Sequence, residues 1–193
     1  AINELDHILD EFFSMLSDYI DSRYTNDIPD VLGLSLFNGN LASAIYFSKL
    51  FKEKYPDKMV IVGGGIFSDQ LYPDGINFNK VMGEMSQYID KVIIGEGEEL
   101  LYKLLMGELD NNKLYYTKED IKQENTNKIN LPSPDFDGIE IDSYPQLATF
   151  ISRSCPFQCY FCSETVQWGL FRKRNVKEVV SEMQSLSAEY NRS

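Results

Sequence analysis

Short apolar runs alternate with amphipathic stretches across the first half of the chain, and this alternation most constrains the fold. Asp30-Val-Leu-Gly-Leu-Ser-Leu-Phe37, Met59-Val-Ile-Val62 and Lys91-Val-Ile-Ile94 are each too short for a helix and apolar enough for a buried strand. Between them lie helical patterns over 41–55, with Ala44, Ile45, Phe47, Leu50 and Phe51 at the apolar positions, and over 77–87. A further helix is expected over 98–107. Tyr55-Pro-Asp57 stops the first of these, because proline cannot continue the hydrogen-bonded spiral. Strand, helix, strand, helix, strand, helix predicts an α/β domain in which helices cover a parallel sheet. Ahead of it, Ile2, Leu5, Ile8, Leu9, Phe12, Phe13, Leu16, Tyr19 and Ile20 recur at helical spacing, so 3–23 reads as an amphipathic helix.

Glycines follow two of these strands, as Gly63-Gly64-Gly65 and as Gly95-Glu-Gly-Glu98. Glycine at a strand's carboxyl end lets a ligand approach the backbone, and that edge is where open α/β sheets bind ligands. A tight turn explains the same residues equally simply. The one histidine, His7, falls opposite the apolar stripe of the first helix. It reads as a solvated residue rather than a metal or cobalt ligand, since no second ligand-type residue supports it.

All three cysteines stand together in Cys155-Pro-Phe-Gln-Cys159-Tyr-Phe-Cys162, spaced C-x3-C-x2-C. A disulfide framework wants an even number spread along the chain. Structural zinc wants four protein ligands, usually as two separated pairs. Three thiolates on one loop can serve a [4Fe–4S] cluster and leave one of its four irons without a protein ligand, open to a substrate or cofactor. A zinc or regulatory iron site on a non-catalytic binding module is the alternative from another class. A formal charge of −12 argues against a nucleic-acid surface, which needs a basic stripe. With 43% hydrophobic residues the chain can build a core, and no apolar run approaches a membrane span. Clustered unpaired cysteines and no visible signal peptide at Ala1 fit a reducing cytoplasm.

Arg153-Ser-Cys-Pro-Phe-Gln-Cys-Tyr-Phe-Cys162 resembles the cluster loop of radical S-adenosylmethionine (SAM) enzymes. The resemblance implies that Cys155, Cys159 and Cys162 hold a [4Fe–4S] cluster whose open iron chelates SAM. It further implies that reductive cleavage of SAM gives a 5′-deoxyadenosyl radical, with Phe161 beside the adenine. Ser154 stands where the family usually has glycine. Asp30 to Ser35, Pro56 to Gly65 and Ile94 to Glu98 together resemble the flavodoxin-like (Rossmann-like) cobalamin-binding domain that precedes the radical-SAM barrel in one large subfamily of Fe–S oxidoreductases. By that match Ser35, Gly63, Gly64 and Gly65 line the pocket for the nucleotide tail of cobalamin (B12). The Asp-x-His-x-x-Gly motif of other B12 proteins is absent, since Asp6-His7-Ile8-Leu9 does not have it.

The organisation expected is an incomplete cobalamin-binding-like domain over 1–110, a linker over 111–146, and over 147–193 the first strand–helix unit of the barrel. In the linker Leu114 to Thr117 reads as a short strand, Lys118 to Asn130 as charged and polar, and Leu131 to Asp137 as extended and proline-punctuated. Leu147 to Ser152 is the strand expected before the cysteine loop. Asn175 to Tyr190 is the helix after it, with Val176, Val179, Val180, Met183 and Leu186 on one face and Asn175 as N-cap. Arg172, Lys173 and Arg174 read as surface-solvated. On this resemblance the first strand–helix–strand unit of the B12 domain and the later barrel strands, with their SAM contacts, lie outside the chain. The catalytic residues, the substrate (a small molecule or peptide), and methyl transfer versus rearrangement or cyclisation stay open. A reductant protein such as flavodoxin or ferredoxin is the implied partner. The chain by itself is expected to be inactive.

Overall fold

Four short apolar strands pair into one parallel sheet: β1 (Val31–Ser35), β2 (Met59–Gly63), β3 (Lys91–Ile93) and β4 (Tyr115–Tyr116), in that spatial order. The computed structural model describes residues 2–121, 129 and 131–192, which form two compact units divided between 122 and 123. The register sets Val31 beside Met59 and Ser35 beside Gly63, then Val62 beside Val92 and Ile93 beside Tyr116. Each step between parallel neighbours needs a crossover. These are α2 (Leu41–Lys54), the pair α3 (Ile66–Asp69) and α4 (Ile76–Met85), and α5 (Glu98–Leu105). The α/β, flavodoxin-like expectation for the first unit holds, with element ends moved by at most two residues.

Both faces of the sheet are covered, as strand alternation requires of a run with no polar positions. Val60, Val62 and Val92 point into one cluster with Leu32, Phe51, Phe67, Phe78 and Met82. Ile61 and Ile93 point the other way, into Leu100 and Leu104 of α5 with Tyr116 and Ile121. Each such side chain contributes roughly 1.5–3 kcal/mol by leaving water. The first helix, α1 (Ile2–Arg23), lies on α2 through ring contacts, Phe13 to Tyr46 at 4.4 Å and Tyr19 to Phe47 at 6.2 Å. Only part of its apolar stripe is used: Ile20 is buried, while Leu5, Ile8, Phe12 and Met15 are exposed.

One polar network ties the amino-terminal edge of the sheet. The Lys52 ammonium donates to both Asp90 carboxylate oxygens, at 3.0 and 2.7 Å, and to the Lys58 carbonyl at 2.6 Å. Asp90 in turn accepts from the Val60 amide at 2.7 Å. The opposite, carboxyl-terminal edge is therefore where loops are free to vary.

Residues 111–121, expected in the linker, belong to the first unit. Val92 donates to the Leu114 carbonyl at 2.8 Å and Ile94 to that of Tyr116 at 3.0 Å, which makes β4 a full sheet member. The Tyr116 ring is fully buried and its hydroxyl donates to the Asp110 carbonyl at 2.8 Å. Thr117 then caps a 3-10 turn over Lys118–Asp120, and Ile121 is buried. The part of the charged stretch over 122–128 and at 130 lies outside the described residues.

In the second unit β5 (Ser152–Arg153) pairs antiparallel with β6 (Arg172–Lys173), α6 spans Glu164–Trp168, and α7 spans Val176–Glu189. Asn175 caps α7 as expected, its side-chain oxygen accepting from the Lys177 amide at 2.9 Å. The strand expected over 147–152 is corrected to β5 alone. Strand pairing is confined to Ser152–Arg153 with β6, extended by one hydrogen bond from the Arg174 amide to the Ile151 carbonyl. Residues 131–146 are tied to α7 rather than free: Phe136 stacks edge-on against Tyr190 at 5.5 Å, and Arg192 donates to the carbonyls of Ile141 and Tyr144. The α7 face is also split. Val179 and Leu186 are buried, whereas Val176, Val180 and Met183 stay exposed.

Candidate functional site

The carboxyl-terminal edge of the first unit carries the four residues matched to a cobalamin pocket, at the end of β1 and at or directly after the end of β2. β1 ends at Ser35, whose register partner is Gly63. Leu36 then donates to the Gly63 carbonyl at 2.7 Å, and Ile66 donates back to the Leu36 carbonyl at 3.3 Å. This crossing brings the chain after β2 against the chain after β1. Gly64 has φ +105°, and a side chain there would meet the Leu36 carbonyl at 2.5 Å, the Leu36 amide at 2.6 Å and Ser35 Oγ at 3.0 Å. Only glycine fits such a place. Gly63 is tight as well, with the Ile93 carbonyl 3.1 Å from where a Cβ would stand. Gly65, by contrast, has ordinary helical angles as the residue before α3.

Asn40 braces the loop after β1. Its amide donates to the Ser35 carbonyl at 2.9 Å and its side-chain oxygen accepts from the Phe37 amide at 2.7 Å. Ser35 itself is exposed at the sheet edge. Gly95, after β3, has φ +86° with open space on its side-chain position. The result is a ledge of backbone and one hydroxyl, suited to close approach by a large ligand rather than to acid–base work. A separate groove of roughly 460 Å³, lined by Phe78, Asn79, Met82, Gly83, Lys113, Leu114 and Tyr115, lies on the amino-terminal side of β4 and so away from this edge.

His7 is solvated on α1, its Nε2 3.4 Å from Glu11, with both side chains mostly exposed. That agrees with the reading of His7 as a solvated helix residue. No described helix is long and apolar enough to cross a membrane.

In the second unit the cysteine loop rises from a closed base. The β5–β6 pair holds Arg153 beside Arg172, and Arg174 donates its amide to the Ile151 carbonyl at 2.9 Å. Above that pair, Ser154 adopts φ +63° and its hydroxyl donates to the Gly169 carbonyl at 2.6 Å. Arg172 reaches the Trp168 carbonyl at 3.0 Å, and the Arg153 guanidinium lies 5.3 Å from the centres of both the Phe150 and Trp168 rings. Between these ties Cys155, Cys159 and Cys162 are free thiols, and the Cys162 amide donates to the Cys159 carbonyl at 3.1 Å. Cys159 is exposed, as are the rings of Phe157, Tyr160 and Phe161.

Three soft thiols on one loop suit an iron–sulfur centre that keeps one iron without a protein ligand. Among the described residues no three metal-ligating side chains already converge. The loop therefore carries the three thiols within eight residues, with Cys159 and Cys162 joined across a turn, and a metal centre would have to draw all three together.

Two contacts of this base were not foreseen. Arg174, expected to be solvated, is buried against Glu182 in a two-pronged pair at 2.8 and 2.7 Å, with Thr149 donating a third bond to Glu182 at 2.5 Å. The guanidinium holds the Glu182 carboxyl down at about 2, and the carboxylate holds Arg174 above its ordinary value. The eight-residue offset from Arg174 to Glu182 has no helical meaning, because Arg174 precedes the helix, so periodicity gave no signal. The Ser154–Gly169 tie had a faint one, a serine in a place where glycine is usual.

No family model matches the chain. Among curated proteins it is similar to an uncharacterized methyltransferase of Pyrococcus horikoshii, 30% identical over 184 residues, which covers 84% of this chain and 38% of that protein. It is similar to the anaerobic magnesium-protoporphyrin IX monomethyl ester cyclase of Rubrivivax gelatinosus, 26% identical over 197 residues, covering 90% of this chain and 34% of that one. It is also similar to the cobalamin-dependent radical SAM methyltransferase TokK of Streptomyces tokunonensis, 28% identical over 163 residues, covering 73% and 22%. The chain thus spans between 22% and 38% of the length of these relatives.

Proposed function

Because the chain belongs to the B12-binding-domain family of radical SAM enzymes, we propose that it supplies the cobalamin-facing α/β unit and the cluster-bearing loop of such an enzyme. Cys155, Cys159 and Cys162 are the proposed ligands of a [4Fe–4S] cluster, leaving one iron for SAM. When bound, that cluster supplies the electron that cleaves SAM to methionine and a 5′-deoxyadenosyl radical, and cobalamin supplies a second reactive centre for methyl transfer or rearrangement. The chain's own part is positional. The loop base fixes where the thiols stand, and Phe161 offers an exposed flat ring beside the last of them for the adenine. Ser35, Gly63, Gly64 and Gly65 offer the ledge against which the nucleotide tail of cobalamin packs. A reductant protein such as flavodoxin or ferredoxin delivers the electron, the substrate is a small molecule or peptide, and the reducing cytoplasm is the compartment that suits such a centre.

The observation that carries this reading is that three free thiols fall within one eight-residue loop whose base is held by the β5–β6 pair and the Ser154–Gly169 hydrogen bond. A structural zinc site wants four protein ligands, usually as two separated pairs, whereas the cysteines here are three and fall in one loop. Anaerobic reconstitution with iron and sulfide should give broad thiolate-to-iron absorption near ~400 nm. Changing Cys155, Cys159 and Cys162 together to Ala should abolish it while the circular dichroism of the α/β unit persists. A triple variant that keeps its iron would show the assignment to be wrong.

A further inference from the structure

The tie at the base of the cysteine loop reaches beyond the thiols themselves. Ser154 is the residue immediately before Cys155, and Gly169 directly follows α6, so one hydrogen bond of 2.6 Å joins the two ends of the segment that carries every cysteine. Both ends sit at positive φ, +63° for Ser154 and +66° for Gly169. Glycine does this freely, but serine does not, and a strained non-glycine residue persists where something holds it. The side chain supplies a hold here, its Oγ reaching across to the Gly169 carbonyl. The antiparallel pairs beneath, Ser152 with Lys173 and Arg153 with Arg172, set the width of the loop at that level.

We propose that Ser154 is a positioning residue for the cysteine loop: its hydroxyl, donating to the Gly169 carbonyl, fastens the two ends of the loop that carries Cys155, Cys159 and Cys162. This rests on the proposal that those cysteines bind an iron–sulfur cluster. A fastened loop loses less chain freedom when it closes on metal, so it holds iron longer than an unfastened one.

Two substitutions separate the hydroxyl from the backbone. Ser154→Ala removes the hydrogen bond and keeps the strain, whereas Ser154→Gly removes both. The measurement is the rate at which reconstituted residues 1–193 give up iron to a chelator, beside thermal unfolding followed by the single tryptophan, Trp168. Both variants are expected to release iron roughly two- to tenfold faster than wild type, the effect of one ordinary hydrogen bond. Ser154→Ala should also melt lower, while Ser154→Gly should melt close to wild type, because relief of the left-handed strain offsets the lost bond. That split between melting and iron retention is what a merely structural role would not give. If Ser154→Gly holds iron as wild type does, or if both variants do, Ser154 is not the fastener although the cysteines still bind. If wild type itself takes up no iron, the cluster reading fails and the proposal fails with it.

Discussion

Glu182→Gln is the sharpest perturbation of the second unit, because it removes one charge from a pair that its neighbours cover almost completely. The Arg174 and Glu182 side chains are 9% and 7% exposed, and Thr149 takes part of what capacity remains on the carboxylate. The carboxyl falls from 4.5 to about 2, chiefly through the hydrogen bonds from Arg174, which outweigh the opposing cost of burial. At about 1.36 kcal/mol for each tenfold in proton affinity, that depression corresponds to a ceiling of ~3.4 kcal/mol. Few protein atoms lie beyond the immediate partners, so solvent screens the pair, and about 1–2 kcal/mol is the better expectation. The sign follows from the depressed value. The stabilisation is fully present above about 4.5, the unfolded value, and is lost as pH falls toward about 2. Trp168 is the only tryptophan and lies in this unit, so its fluorescence reports the unit's unfolding in denaturant. At pH 7 the variant should be less stable by that amount, and the two proteins should converge near pH 2. Equal stability at pH 7, or a gap that does not narrow in acid, would refute the account of this pair as a stabilising contact of the second unit.

Two further outcomes test the first unit. Gly64→Ala should unfold it or cost well over the ~1–2 kcal/mol of a left-handed residue, since the added carbon meets the Leu36 backbone at 2.5 Å; Gly95→Ala, also at positive φ but with open space, should cost only about that backbone strain. Equal melting losses for the two would show that the Leu36 contact is not as tight as described. Ser35→Tyr, at an exposed position on the carboxyl edge, should fold and should weaken cobalamin binding in the full-length enzyme at least tenfold, on the order of 1.4 kcal/mol. Unchanged affinity in equilibrium titration would remove Ser35 from the pocket.

The parallel sheet was legible because its strands carry their own evidence. Val60, Ile61 and Val62 have no polar position, which only a strand buried on both faces tolerates, and the structure buries all three. The fourth strand was harder to place, because Tyr115-Tyr116 is short and polar turns flank it. Its membership is decided by pairing with β3 and by burial of Tyr116, which are tertiary facts. The run from Leu147 to Ser152 misled for the complementary reason: its residues look like a strand, but a strand also needs a neighbour, and only Ser152–Arg153 has one. At the ledge, glycines marked where a ligand could approach, yet the strict need for glycine at Gly64 comes from the Leu36 backbone, which no local pattern reveals. The cysteines were fully visible in sequence. What holds the loop and its base was scarcely legible, since Ser154 with Gly169 joins the loop's two ends and Arg174 with Glu182 joins the chain before α7 to the middle of that helix, and neither follows a helical or strand period.

The central claim is that three cysteines hold a four-iron centre with one iron left open. It is tested most directly by metal and acid-labile sulfide analysis of protein purified without oxygen. The account predicts four irons and four sulfides for each chain, bound by only three cysteines. Stoichiometric zinc without sulfide would contradict it, and would make this loop a structural or regulatory metal site on an α/β binding module.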